Sequence, residues 1–156
     1  MKILVECNAD EVVLRNLGVS KRQLLHENCK GEVVKRVRKY DCATGLIDED
    51  PYSTQPRDLN NYTEVQNAEG LRLLNRRDDK NKRLIIVCPR LEDWLINRAK
   101  SSGIRPGDYG LPNDPDRLHS IPRYERKPGF LRFLAELKEK DKGMHLLRQL
   151  ILREES

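Results

Sequence analysis

The sequence has few aromatic residues and no long apolar run. Aromatic side chains make up 5% of the 156 residues, which argues against a base-stacking groove for single-stranded nucleic acid. No apolar run approaches the roughly 20 residues that span a bilayer, so we expect no contact with membranes. The apolar run at residues 3–5 ends at a carboxylate, and we therefore expect no signal peptide.

Several sequence signatures of known sites are also missing. The four cysteines, Cys7, Cys29, Cys42 and Cys88, form no CxxC pair and have no histidine at zinc spacing. Without a secretion signal, we expect reduced, mostly buried thiols and a cytoplasmic protein. The sequence contains no Walker A motif and no nucleophile elbow, so nothing supports a P-loop ATPase or a serine hydrolase.

The positive charge is concentrated in two segments. The net charge is +5, but residues 21–39 carry seven basic side chains against two acids, and residues 72–83 carry six against two. Residues 41–51 hold four acids and no base. Such blocks are typical of solvated helix faces and charged turns; the alternative is phosphate binding, because clustered Lys and Arg neutralise a polyanion.

The first fifty residues show strand and helix patterns in alternation. Residues 2–6 and 42–48 predict strands, and residues 10–17 and 31–39 predict helices with one apolar stripe. Residues 24–27 fit either a short strand or a helical turn. If they form a strand, the order β-α-β-α-β predicts a parallel sheet with functional groups at the carboxyl ends of its strands.

The remainder of the chain predicts a hairpin and three further helices. Residues 51–61 and 105–115 are rich in turn-forming residues and predict irregular loops. The predicted hairpin strands are 71–76 and 83–88, and the predicted helices are 91–101, 129–140 and 142–153. We expect an α/β core over residues 1–104 and, over residues 105–156, a loop and helical extension packed on the same domain.

An apolar stripe on the last two helices has two interpretations. It covers the sheet, or it forms a dimer, and both uses need the same pattern. The stripe consists of Leu131, Leu134, Leu137, Leu146, Leu147 and Leu150. Trp94, on the apolar side of the preceding helix, is expected in the core rather than at a base-stacking platform.

Acidic residues follow two of the predicted parallel strands. Glu6 ends the first strand, and Asp48 and Asp50 end the third. Alternate residues at a strand end point the same way, so Asp48 and Asp50 would present two hard oxygen ligands to one cation. Mg²⁺ takes one or two protein carboxylates and bridges to phosphate oxygens. A single acid after a strand, in contrast, is usually a helix cap or a solvated turn residue.

The order of these motifs resembles the TOPRIM domain of topoisomerases, bacterial primases and OLD-type nucleases. In that family a glutamate ends the first strand, a glycine-containing turn follows the second, and DxD ends the third. The similar segments here are residues 5–10, Lys30-Gly31 and residues 47–50. The resemblance covers residues 2–100 and favours the strand interpretation of 24–27.

The nuclease branch of this family adds two acids. One lies four residues after the first glutamate, which falls on Asp10, and the other begins a helix after a later strand, which falls on Glu92. The chain departs from the family pattern at Cys7, where a glycine is usual, and at Pro51, which directly follows the DxD pair.

The resemblance implies an α/β, Rossmann-like TOPRIM fold with a mostly parallel central sheet flanked by helices, and with C-terminal helices. It implies metal-dependent hydrolysis of nucleic-acid phosphodiesters, with Glu6, Asp48 and Asp50 as catalytic residues. These three residues, Asp10 and Glu92 would hold Mg²⁺ or Mn²⁺ in a two-metal arrangement.

Partners follow from the same interpretation. We expect DNA or RNA to contact basic side chains of the two positive segments: Lys30, Lys35, Arg36, Arg76 and Arg77. A homodimer or a larger protein partner is left open. His26, His119 and His145 have no ligand-like neighbour in the sequence and are not expected to be catalytic.

Two alternative functions remain at this stage. The first is a TOPRIM-like subunit without turnover that binds nucleic acid or docks a partner. The second, weaker alternative is an unrelated metal-dependent phosphatase with a DxD strand end.

Overall fold

A six-stranded sheet forms the centre of the computed structural model, which describes residues 1–154. Its strands are β1 (Lys2–Val5), β2 (Leu24–His26), β3 (Ala43–Asp48), β4 (Tyr62–Ala68), β5 (Leu71–Arg76) and β6 (Asp79–Val87). The helices are α1 (Asn8–Asn16), α2 (Lys30–Val37), α3 (Leu91–Ser101), α4 (Pro115–Ser120), α5 (Pro128–Lys140) and α6 (Lys142–Leu152). None of the helices within residues 1–154 combines the length and apolar character needed to cross a membrane.

The strand order is β2-β1-β3-β6-β5-β4. β1 pairs in parallel with β2 and β3, and β3 pairs in parallel with β6. β5 is antiparallel to both β6 and β4. The sheet is therefore mixed, and the expected parallel arrangement holds only for the half formed by β2, β1, β3 and β6. The other half is antiparallel because short turns, rather than helical crossovers, join β4, β5 and β6.

Most of the predicted elements are present within two residues of their expected ends. The ambiguous segment 24–27 is a strand, β2, and the predicted hairpin is formed by β5 and β6. β4, at the edge of the sheet, is a strand that the sequence pattern did not predict. Its side chains are mostly exposed, so the apolar alternation of a half-buried strand is absent.

Helices cover both faces of the sheet and form two apolar layers. α2 packs on one face of the sheet through Val33, Val34 and Val37. These valines and the strands beneath them form one apolar core, and the other helices form a second core on the opposite face. A Cβ at Gly45 of β3 would lie 2.7 Å from Val33 and 2.9 Å from Leu84. Gly45 therefore allows α2 to lie directly against β3.

The opposite face is covered by α1, α3, α5 and α6, which share one apolar core with the sheet. Trp94 is 1% exposed in this core, as expected. Leu134, Leu137, Leu147 and Leu150 are buried there too, so the leucine stripe packs within the chain. Leu131, in contrast, is 50% exposed.

A buried ion pair connects the C-terminal helices to α3. The Arg98 guanidinium donates to both carboxylate oxygens of Asp141, at 3.1 and 3.0 Å, and Asp141 is 1% exposed. Asp141 also caps α6 by accepting from the Met144 N–H at 2.7 Å. A Cβ at Gly143 would lie 2.6 Å from Arg98, so this small residue gives the guanidinium room beside α6.

The cysteines do not occupy the core. Cys7 and Cys29 are exposed, and Cys42 and Cys88 are partly exposed. The expectation of mostly buried thiols is therefore wrong. The reason is positional: all four cysteines lie at or next to the ends of strands and helices, where the backbone reaches the surface.

Candidate active site at the carboxyl edge of the sheet

The sheet has a topological switch point between β1 and β3. β2 lies on one side of β1 and β3 on the other, and the two connecting helices, α1 and α2, cover opposite faces. In open α/β sheets the crevice outside the carboxyl ends of such strands is the usual ligand site. Glu6 directly follows β1 and Asp48 ends β3, so both acids lie at this crevice.

Glu6 and Asp48 are in direct contact. The Oε2 atom of Glu6 accepts a hydrogen bond from the Asp48 backbone N–H at 3.0 Å, across 42 residues of sequence. Burial raises the pKa of Glu6, and this hydrogen bond acts in the opposite direction. The side chain of Glu6 is thus held against the end of the neighbouring strand.

Asp10 lies behind this pair in the first turn of α1. It is 2% exposed, and its Oδ2 atom accepts from the backbone N–H groups of Glu6 and Cys7, at 3.3 Å each. Burial raises its pKa to about 7, with a further contribution from the charge of Glu6. Asp10 therefore supports the turn between β1 and α1 and adds charge to the crevice.

Asp48 experiences the charges of three other predicted site residues. Burial is the largest cause that raises its pKa to about 8, and the charges of Asp10, Glu6 and Glu92 follow in that order. An acid that senses three others so strongly is typical of a functional cluster. The structure thus brings together four of the five acids that the sequence indicated.

Asp50 is placed differently from the expectation. β3 ends at Asp48, and Asp50 lies in the following turn with a φ of 41°, in the left-handed region. Its N–H donates to the Pro89 carbonyl at 2.8 Å, and its own carbonyl accepts from the Ser53 N–H. It is therefore not the alternate residue of an extended strand. Its charge still reaches Glu6, whose pKa it raises.

Glu92 begins α3 and is 7% exposed. Its Oε1 atom accepts a hydrogen bond from the Tyr124 hydroxyl at 3.0 Å and lies 3.0 Å from His119 Nδ1. His119 belongs to α4 and Tyr124 to a short 3-10 helix, so both partners come from outside the segment that carries the family resemblance.

Sequence reasoning missed these two partners of Glu92. They lie 27 and 32 residues from it, and neither belongs to a local motif. The only local signal was the start of α4, where Asp114 caps the helix and Pro115 occupies its first turn. The other two histidines contact backbone carbonyls: His26 that of Glu6, and His145 that of Lys138.

Lys30 holds the loop that follows β3. Its Nζ atom donates to the Glu49 carbonyl at 2.8 Å and to Gln55 Oε1 at 3.1 Å. Its charge also lowers the pKa of Glu6, against the larger effect of burial. The structure therefore places Lys30 beside the acidic cluster, with its amine already bound to the loop.

Two of the other basic residues expected to contact nucleic acid are bound to neighbouring side chains. Arg36 pairs with Glu27 at 3.0 Å, and Arg77 donates to Thr63 Oγ1 at 3.2 Å. Lys35 and Arg76, in contrast, line the same pocket.

Two cavities adjoin the acidic cluster. The larger, of about 770 Å³, lies beside Asp48 and has Ile47, Leu74 and Ile86 in its apolar wall and Arg72 at its polar side. The smaller, of about 290 Å³, is lined by residues that include Cys7, Glu92, His119, Arg123 and Tyr124. The acids thus lie between two spaces that are open to a ligand.

The donor chemistry of the cluster fits a hard divalent cation. Across residues 1–154, none of the carboxylates of Glu6, Asp10, Asp48 and Glu92 forms an ion pair with a lysine or arginine. Carboxylates that share one partly buried site repel one another, and Mg²⁺ prefers such oxygen ligands. Over the same residues, no three His, Cys, Asp or Glu side chains are already grouped around one ion position.

No protein-family model matches the chain, and comparison with curated proteins and with solved structures found no match. The function proposed for the chain therefore depends on its own residues and their geometry.

Proposed function

We propose that this protein is a Mg²⁺- or Mn²⁺-dependent nuclease with a TOPRIM-like fold that hydrolyses phosphodiester bonds of DNA or RNA. The observation that carries the proposal is the meeting of Glu6 and Asp48 at the switch point of the sheet. Their side chains share one electrostatic environment with Asp10 and Glu92. Acids placed at that crevice are suited to a cation that contacts phosphate.

The residues have separate roles in this proposal. Asp48 would hold one cation and Asp10 and Glu92 a second, while Glu6 would hold or transfer a proton at its carboxylate, and Asp50 would add its charge from the turn after β3. A bound divalent cation supplies stabilisation of the charge that develops on the phosphoryl oxygens. Tyr124 and His119 hold the carboxylate of Glu92 from the other side, and Lys30 fixes the loop after β3.

The raised pKa values agree with this assignment. A carboxyl group must be deprotonated to bind a metal ion, so cation binding competes with protons at Asp48 and Asp10. Since their pKa values lie near 8 and 7, we expect the affinity for Mg²⁺ to increase between pH 6 and pH 9. Isothermal titration calorimetry with MgCl₂ in two buffers of different ionisation enthalpy measures both the affinity and the protons released.

The deciding experiment is cleavage of labelled single-stranded DNA, duplex DNA and RNA with Mg²⁺ or Mn²⁺. We expect wild type to cleave at least one of these substrates and Asp48→Asn to lose about 10²-fold or more of that activity. The matched control is Glu139→Gln, which removes an exposed charge on α5. Circular dichroism of both variants checks that they are folded.

A second function is favoured by one observation, the pocket that Lys35 and Arg76 line together. It is a nucleic-acid-binding or partner-docking subunit without turnover. Salt-dependent binding of nucleic acid, combined with no cleavage of any substrate form by wild type, would establish this function and overturn the nuclease proposal.

A further inference from the structure

The two basic segments of the sequence meet in one pocket on the α2 side of the sheet. The pocket has a volume of about 550 Å³. Five of its lining side chains are cationic: Lys35, Arg38, Lys39, Arg76 and Lys82. The first three come from the end of α2 and the turn after it, and the other two come from β5 and β6.

Some of these cations are already paired, and others are not. Arg76 is 8% exposed and is held by Asp58 at 2.9 Å and Asp78 at 2.8 Å. Lys35 and Lys39 are exposed and form no ion pair within residues 1–154. The pocket carries five cations against two carboxylates, those of Asp78 and Asp79. It therefore has positive charge available for an anion.

The pocket lies at the opposite edge of the sheet from the acidic cluster. Lys82 pairs with Ala43 at the start of β3, whereas Asp48 is at the end of that strand. Five residue steps of about 3.3 Å separate the two ends of β3, which amounts to about 17 Å. An anion in this pocket is therefore not the phosphate that the acids would cleave.

The 3-10 helix Arg57–Asn61 connects the larger cavity beside Asp48 with a residue of the pocket. Arg57 lines the cavity, and Asp58 bonds Arg76 of the pocket. The guanidinium of Arg76 also lies over the ring of Tyr62, 5.6 Å from its centroid, and Tyr62 lines the cavity. One polyanion on this face can therefore reach both places.

We propose that the basic pocket binds the phosphodiester backbone of duplex nucleic acid about five base pairs from the bond that is cleaved. This inference rests on the proposed nuclease function. The spacing follows from the separation of about 17 Å and an axial rise of about 3.4 Å per base pair. Lys35 and Lys39 contact the phosphates, while Arg76 maintains the shape of the pocket. These contacts are independent of sequence, since they involve only the backbone.

The first test measures binding without cleavage. Asp48→Asn is combined with Lys35→Gln/Lys39→Gln, and binding of a labelled 24-base-pair duplex is followed by fluorescence anisotropy at increasing salt. Loss of two phosphate contacts makes the salt dependence shallower: the negative slope of the logarithm of the binding constant against the logarithm of salt concentration decreases in magnitude by about 1.8. The matched control, Arg132→Gln/Lys138→Gln, removes two exposed charges from α5 on the opposite face and leaves the slope unchanged.

The second test uses the length of the substrate. With Asp48 intact, we expect Lys35→Gln/Lys39→Gln to lower kcat/KM about tenfold or more on a 24-base-pair duplex. On a hairpin with a four-base-pair stem and a tight loop, which is too short to reach from the acids to the pocket, we expect no change. An equal effect on both lengths, or no effect on either, would overturn the inference.

The outcomes separate the two proposals. Cleavage by wild type with an unchanged salt slope in the lysine variant overturns the pocket and leaves the nuclease proposal intact. A reduced slope without cleavage by wild type supports the pocket as a nucleic-acid site and overturns the nuclease proposal. A third measurement, calorimetric titration with tripolyphosphate, distinguishes a free polyphosphate from nucleic acid. If Lys35→Gln/Lys39→Gln loses tripolyphosphate binding but binds the duplex as wild type does, the pocket is a site for free polyphosphate and the inference is overturned.

Discussion

The carboxylate of Glu6 accepts a hydrogen bond from the backbone N–H of Asp48 at 3.0 Å. The parallel register explains this contact, since β1 and β3 pair from Lys2 and Ala43 through to Val5 and Leu46. The residue after β1 therefore lies beside the end of β3. A change that shifts the register of either strand would separate the two acids.

We expect burial of the carboxyl groups to make stability decrease as pH rises from about 4 to about 8. The pKa of Asp48 is raised to about 8 and that of Asp10 to about 7, from ordinary values of 3.8. Well below pH 3.8 both groups are protonated in the folded and unfolded chains. Above it the unfolded chain loses these protons first, so each rise in pH favours unfolding until the folded pKa is passed. Thermal melts in EDTA measure the effect.

Asp48→Asn provides the control for that pH dependence. Asparagine resembles the protonated carboxyl group and does not titrate, so the variant loses the part of the pH dependence that comes from Asp48 and keeps only the part that comes from Asp10. We expect its melting temperature to exceed that of wild type by a margin that grows from pH 5 to about pH 8 and then levels off, because the folded pKa of Asp48 has been passed. A margin that is constant over this range would show that Asp48 titrates at its ordinary pKa.

Asp141→Ala should destabilise the protein by about 3 kcal/mol. The substitution leaves the guanidinium of Arg98 buried with only Glu69 as its partner, and it removes the cap of α6. Urea unfolding followed by circular dichroism gives the free energy. The control is Lys140→Gln, at the residue next to Asp141 in the sequence. It breaks an exposed ion pair with Glu136 and should leave the unfolding midpoint unchanged. Equal effects of the two changes would contradict the assigned burial.

Two leucines one turn apart on α5 should differ strongly in their response to substitution. Leu134 is fully buried, so Leu134→Ala removes packed methyl groups and costs about 2–5 kcal/mol of unfolding free energy. Leu131 is 50% exposed, and Leu131→Ala should cost less than about 0.5 kcal/mol. If Leu131→Ala instead changes the oligomeric state in sedimentation experiments, this exposed position contributes to a contact between chains.

Tyr124→Phe should destabilise the protein by about 1–3 kcal/mol at neutral pH, because it removes a hydroxyl that donates to the buried Glu92. The ring and its edge-on contact with Phe130 are retained, so packing is unaffected. Chemical unfolding at pH 7 gives the value. Tyr109→Phe is the control: its ring packs edge-on against Phe133, and its hydroxyl makes no hydrogen bond to a side chain within residues 1–154. A similar loss in both variants would argue against a specific role for the Tyr124 hydroxyl.

The sequence by itself determined the elements that have a strong local pattern. Helical spacing of apolar residues located α1, α2, α3, α5 and α6, and apolar runs located β1, β3 and the β5–β6 hairpin. It also placed Glu6 and Asp48 at strand ends, since the end of an apolar run marks where the chain leaves the core. These features depend on neighbours within a few positions.

Only the tertiary structure decided which distant residues meet. Four features have no local pattern: the edge strand β4, its antiparallel pairing with β5, the contacts of Glu92 with His119 and Tyr124, and the joining of Lys35 and Lys39 with Arg76. Each follows from the register of strands and the packing of helices across many residues. A carboxylate or a lysine has the same sequence neighbours whether or not its partner in space is present, so these contacts arise only when the chain is folded.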